Sequence, residues 1–204
     1  GTFYCTGNSG SLNKRMAEWR KIAENGHELG NHTLFHPCDG KRFDWVKPEQ
    51  DLNSYNLNRI TNELLVANTL LKAFDGNEVR TFAYTCSDYK AGNESFKGVI
   101  EDLFLAARRD GPIPESMHEV DLHFVPSWGV NEPSGEELIS YVKEAQAKGT
   151  IAVFMFHSVG GGYLNVSNEA HNKLLDYLEK HKEEIWTDTF MNVMKWVAKE
   201  TVSD

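Results

Sequence analysis

The stretch Gly-Asn-His-Thr-Leu-Phe-His-Pro at 30–37 sets two imidazoles, His32 and His36, four positions apart. On a helical turn that spacing brings both rings to one side, where neutral ring nitrogens can chelate zinc or a related first-row cation. Two imidazoles alone fall short of a catalytic metal site, which usually has three protein ligands and one position open for water. A third ligand, most simply a carboxylate, is therefore required. As a bare pattern, two histidines four apart equally describe a surface or hydrogen-bonded pair. A third imidazole, His157, directly follows the apolar run Thr-Ile-Ala-Val-Phe-Met-Phe at 150–156, where a strand would hand it to a loop.

The elements that must position these rings alternate along the chain. Residues 2–5 (TFYC) read as a strand, and Met16, Trp19, Ile22 and Ala23 mark an amphipathic helix over 13–25 that Gly26 ends. A short strand is expected at 27–32 and a long helix at 48–74, with Pro48 in its first turn. Strands at 79–84, 104–109 and 124–128 flank a helix at 95–102. Ser134 and Glu137 have capping-box spacing and open a helix to about Lys148. The run at 150–156 reads as a strand covered on both faces. A helix at 168–182, a strand at 185–187 and a last helix from Thr189 complete a parallel α/β sheet or barrel. Loops after parallel strands converge on one face. That gathers His32, His36, the segment Thr85 to Asp88, Trp128 and His157.

At 204 residues, one compact domain spanning 1–204 is expected. A net charge of −9 without a basic patch argues against nucleic acid and anionic lipid, and favours a neutral substrate. No apolar run is long enough to span a bilayer, and residues 1–8 lack the features of a signal segment. Cys5, Cys38 and Cys86 cannot all pair within the chain; three buried free thiols are expected, with one bridge, for example Cys38 to Cys86, as the alternative outside the cytoplasm. Oligomeric state is left open.

With its flanks, the histidine stretch resembles the polysaccharide deacetylases, carbohydrate esterases built on a deformed (β/α) barrel. Their His-Ser/Thr-x-x-His-Pro motif is complete at 32–37, and Gly-His-Glu-Leu-Gly-Asn at 26–31 is similar to the stretch that leads into it. The resemblance implies that His32 and His36 bind a divalent metal ion, zinc first, with cobalt, nickel or manganese also suitable. Thr-Phe-Ala-Tyr-Thr-Cys-Ser-Asp at 81–88 resembles the family's Phe-Ala-Tyr-Pro-Tyr/Cys-Gly wall of the active groove, which makes Tyr84 and Cys86 substrate-binding candidates. It departs at Thr85, where proline is usual, and at Ser87, where glycine is usual. Other members orient the catalytic carboxylate with an arginine at the position of Ala83; here Arg80 or Arg108 would have to substitute. Val-Phe-Met-Phe-His at 153–157 is similar to the last motif, so His157 is implied to protonate the leaving group. Trp128 resembles the aromatic residue lining the acetyl pocket.

The family's first motif, Thr-Phe-Asp-Asp-Gly, which supplies the general base and the third ligand, has no counterpart here. Fold expectation is thus the deformed barrel lacking its first strand in this chain, with an N-terminal segment removed or never present. Asp39 and Asp88 do not match the motif as replacements. The implied activity is metal-dependent removal of acetyl groups from N- or O-acetylated carbohydrate, in an extracytoplasmic setting. Its rivals are a carbohydrate-binding module with Trp128, Tyr84 and Tyr163 as stacking platforms, and a purely structural domain.

Overall fold

The computed structural model describes residues 1–200. In chain order the elements are β1 (Thr2–Cys5), α1 (Gly10–Lys14), α2 (Met16–Glu24), β2 (Glu28–Asn31), α3 (Leu57–Asp75), β3 (Thr81–Ala83), β4 (Lys90–Ala91), β5 (Glu94–Ser95), α4 (Lys97–Leu103), β6 (Ala106–Asp110), β7 (Val125–Gly129), α5 (Gly135–Lys148), β8 (Phe154–Met155), β9 (Ser158–Val159), β10 (Asn165–Val166), α6 (Asn168–Lys180) and α7 (Phe190–Glu200). Six strands form one parallel sheet in the order β1-β2-β3-β6-β7-β8. Its edges β1 and β8 do not meet, so the sheet is an open half-barrel wrapped by helices, the deformed (β/α) barrel that the family resemblance implies.

Local chemistry sets the helix ends. Asn56 caps α3 by accepting from the Arg59 amide, and Gly76 leaves it with φ 73°, a left-handed conformation that costs glycine little. Ser134 and Glu137 cap α5 reciprocally, as their spacing predicts, and Gly149 ends it. Alternation along β6 divides the core. Ala107 faces Phe82, Tyr84, Phe96, Ile100, Ile60 and Leu64, where α3 and α4 pack. Ala106 faces Val125, Ile151, Phe190, Met194 and Val197, so α7 covers that side. Phe82 is fully enclosed, and burying such a ring contributes on the order of 1.5–3 kcal/mol.

Four expectations need correction. The helix expected from Pro48 begins only at Leu57, because 48–50 and 52–54 form 3-10 turns: Asp51 accepts from the Asn53 amide, and the chain there bridges to Cys38. The run at 150–156 yields only Phe154–Met155 as strand, and both residues are half-buried because β8 is a sheet edge. Residues 185–187 are not a strand. Of the three cysteines only Cys5 is a free buried thiol; Cys38 and Cys86 form a disulfide. Among the described residues no helix is long and apolar enough to cross a membrane.

Candidate metal and proton-transfer site

His32 and His36 lie in the loop that leaves β2, not on a helical turn. The turn is built by side chains. Asn31 is fully buried; its amide donates to the Leu64 carbonyl and the Asn68 side chain, while its Oδ1 accepts from the Thr33 amide. Thr33 takes a left-handed φ of 64°, and its hydroxyl oxygen accepts from the His36 amide. His36 is left-handed too, at φ 55°, an uncommon conformation that a surrounding network must hold. The result brings the two imidazole centroids within 4.8 Å.

Each ring has a partner for Nδ1. His32 Nδ1 lies 2.7 Å from the Ala83 carbonyl at the end of β3; a carbonyl can only accept, so Nδ1 carries the proton and Nε2 keeps its lone pair. His36 Nδ1 is 3.5 Å from the Cys38 sulfur. Burial pushes both imidazoles below the usual histidine value, His32 furthest; the His36 and Arg108 charges add to the effect at His32, and the His157 charge adds to it at His36. Neutral rings fixed by an outer partner are the form that binds a metal. The donor chemistry therefore fits a divalent cation on two of the three ligands it needs. Among the described residues, the group of three that could hold an ion is His36 with Cys38 and Cys86, whose sulfurs are in a disulfide. No carboxylate joins the two imidazoles there. Asp39 accepts from Lys41 and Asn53, and Asp88 from Asp39 and Arg42, so both acids are engaged in holding the loop.

A second loop clamps the first. Thr85 is buried, and its hydroxyl donates to the Pro37 carbonyl; one residue on, Cys86 makes its bridge to Cys38. Ser87 adopts φ 61° where the resemblance expects glycine, and its hydroxyl oxygen accepts from the Asp110 amide. Cys86 thus works as a clamp. The Tyr84 ring is buried among Phe82, Phe96 and Phe124, in the core rather than on an open wall. Trp128, half-buried, packs on Tyr141 and Phe154.

His157 follows β8 and is exposed. Partial desolvation, then the Arg108 charge, lowers its pKa. It leaves the same end of the parallel sheet as the His32–His36 loop, and its charge acts on both of those rings. Of the two arginines weighed from sequence, Arg80 is committed elsewhere: buried, it binds Asp75 through both nitrogens, at 2.6 and 2.5 Å, and donates to Leu29 and Asn77 carbonyls. Arg108 sits opposite Ala83 in the β3–β6 register, lies 4.8 Å over the Tyr4 ring, and acts on His32 and His157. Sequence reasoning missed Trp45, which stands 57% exposed with its ring 6.2 Å from that of His36. The available signal was a tryptophan within the charged stretch at 39–49 that no apolar periodicity buries.

An open parallel half-barrel with imidazoles gathered on the loops after its strands defines the class of the polysaccharide deacetylase barrel. Residues 1–96 match the family model for polysaccharide deacetylase. Among solved structures it is similar to a Mycobacterium smegmatis protein assigned as a polysaccharide deacetylase, with a TM-score of 0.63 and 12% identity over 98% of this chain and 72% of that one. It is also similar to a CE4 family pseudoenzyme of Bacillus anthracis, at TM-score 0.54 and 15% identity over 95% of this chain and 55% of that one. A mutant of that pseudoenzyme with restored enzymatic activity matches equally, at TM-score 0.54 and 15% identity over 95% and 57%. At these identities the likeness shows the fold alone. A gellan lyase of Bacillus sp is 21% identical over 91% of this chain, which spans only 8% of that protein's length.

Proposed function

We propose that this chain carries the metal-holding and proton-donating part of a site that hydrolyses acetyl groups from acetylated polysaccharide or oligosaccharide. One observation supports the reading: the His32 and His36 rings lie 4.8 Å apart on the loop after β2, with the His32 tautomer fixed by the Ala83 carbonyl and His157 following β8 at the same end of the sheet. His32 and His36 would hold a divalent cation, zinc foremost, with cobalt, nickel and manganese also suited to imidazole. When bound, such an ion supplies Lewis-acid chemistry, polarising the acetyl carbonyl and lowering the pKa of water.

The chain's own residues do the rest. Hydrolysis adds water across the bond between the acetyl carbon and the sugar nitrogen or oxygen; that bond breaks, acetate leaves, and the departing group needs a proton. His157 supplies it from the imidazolium form. Its lowered pKa makes that form a stronger acid but less populated at neutral pH, so turnover that depends on it falls as pH rises. Arg108, held over Tyr4 at 4.8 Å, would orient the carboxylate base. The base and the third ligand are not among the described residues. Cys86 clamps the histidine loop, and Trp128 and Tyr84 support the groove from beneath. An extracytoplasmic setting fits the Cys38–Cys86 disulfide.

The test is acetate release from acetylated xylan and chitin oligomers by the metal-loaded natural full-length protein. His157→Ala should lower turnover by about 10²- to 10⁴-fold with metal content and thermal stability unchanged. A variant that keeps most of its activity refutes the role. The second reading, saccharide binding without hydrolysis, draws on the absence of a carboxylate beside the imidazoles among the described residues. Binding without acetate release by the loaded wild type would establish it.

A further inference from the structure

Between Cys38 and the 3-10 turns before α3 runs a loop that needs no indole to hold it. Cys38 is bridged to Cys86, the Asp39 amide donates to Asp88 at 2.8 Å, the Gly40 amide donates to Asp51 at 2.9 Å, and Arg42 pairs with Asp88. The Val46 amide closes a turn on the Phe43 carbonyl at 3.2 Å. The Trp45 side chain stands outside this network. Its ring is tilted against Phe43 at 5.6 Å and against His36 at 6.2 Å, and it remains 57% exposed. An exposed tryptophan on a pinned loop presents a large, rigid, apolar face to water, which core packing does not explain.

We infer that Trp45 is a stacking platform for a pyranose ring of the glycan, one that neighbours the sugar held at His32 and His36. The axial C–H groups of a pyranose make one face of the ring apolar, and an indole face matches it in size. Because the loop is ordered in advance, binding loses little conformational entropy. The second chemistry-bearing loop has a similar feature: Tyr163, 75% exposed, lies 5.5 Å from the His157 ring. Its loop runs through Gly160, Gly161 and Gly162 and is held by hydrogen bonds rather than a disulfide, so Trp45 stands on the covalently anchored loop of the two. This inference rests on the saccharide reading of the site and adds where the polymer runs, along the His36 side.

The experiment measures binding of xylan and chitin oligosaccharides, one to about six rings long, to the metal-loaded full-length protein by calorimetry. Trp45→Ala should weaken the longer oligosaccharides about tenfold, equivalent to about 1.4 kcal/mol, and monosaccharide little. Trp45→Phe should restore most of the loss, and metal content should not change. An Ala variant within about twofold of wild type at every length overturns the inference, as does a length-independent loss accompanied by loss of metal, which would make Trp45 a support for His36. Failure of the wild type to bind either series also overturns it. If oligosaccharide binding falls as expected but no acetate is ever released, the platform stands and the hydrolytic reading fails. If acetate release persists and Trp45→Ala binds normally, the reverse holds.

Discussion

Replacing both Cys38 and Cys86 with alanine should destabilise this protein strongly and weaken the metal binding proposed for His32 and His36. The bridge spans 48 positions of sequence. In the loop-closure treatment, cross-linking a loop of that length removes chain entropy from the unfolded state worth about 4 kcal/mol at 25 °C. Within that loop lie Asn53, α3 and β3, so the two anchors cannot easily find each other without it. The functional part follows from place: Cys38 is two residues from His36 and contributes the sulfur beside its Nδ1. Losing an outer partner of a metal-binding histidine typically costs about 10- to 100-fold in metal affinity. Urea unfolding of the wild type and the double variant measures the first quantity, and titration with zinc the second. Unfolding exposes the free Cys5 thiol, so both proteins are compared in a Cys5→Ala background, where no thiol can attack the bridge. A double variant less than about 1 kcal/mol below wild type, with zinc affinity unchanged, would refute both the entropic argument and the clamp.

Asp75→Ala should cost about 3–5 kcal/mol, because Arg80 would keep its charge at 2% exposure with no carboxylate to balance it; Asp75→Leu with Arg80→Met should cost far less, as thermal unfolding of the three proteins will reveal. Burial opposes the Asp75 charge, yet the Arg80 and Asn77 hydrogen bonds outweigh it and hold its pKa below the ordinary value. That stability is present above the ordinary carboxyl value and is lost as pH falls through the depressed one. Glu63 behaves oppositely. Burial raises its pKa, so its folded state favours the proton and the charged form weighs against folding above that raised value. Glu63→Gln should raise the melting temperature above that pH, and the advantage should shrink as pH falls; a constant difference across pH would exclude the assignment.

Strands of strong β propensity and the helices with sequence-visible caps were legible, Ser134 with Glu137 most clearly. Where tertiary contacts overrode local pattern, legibility failed. Pro48 suits a first helical turn and so draws the expected helix start too early, but Asp51 turns the chain toward Cys38 instead. The apolar run at 150–156 lies along the sheet margin, where pairing with β7 reaches only two residues. Pairing of Cys38 with Cys86 could not be read, since connectivity depends on loops folded far apart in sequence. At the site, strand-end placement brought His32, His36 and His157 together on one face. The choice of Arg108 over Arg80 needed the register of β3 against β6. The left-handed Thr33, His36, Cys86 and Ser87 carry no sequence signal in residues that ordinarily avoid that conformation.

Consecutive side chains of β6 serve opposite masters. Arg108 lies with Tyr4 and the imidazoles, while Arg109 lies over Tyr89 and Phe124 on the far side of the sheet. Sliding this strand by a single residue one way would bring Ala107 into Arg108's place and empty the mouth of its guanidinium; sliding it the other way would carry Arg108 into Ala107's place, among Phe82, Tyr84 and Phe96. Correct threading of one short strand is thereby tied to the electrostatics of the imidazole cluster. Insertions or deletions in the turn before Ala106 should harm chemistry and folding together.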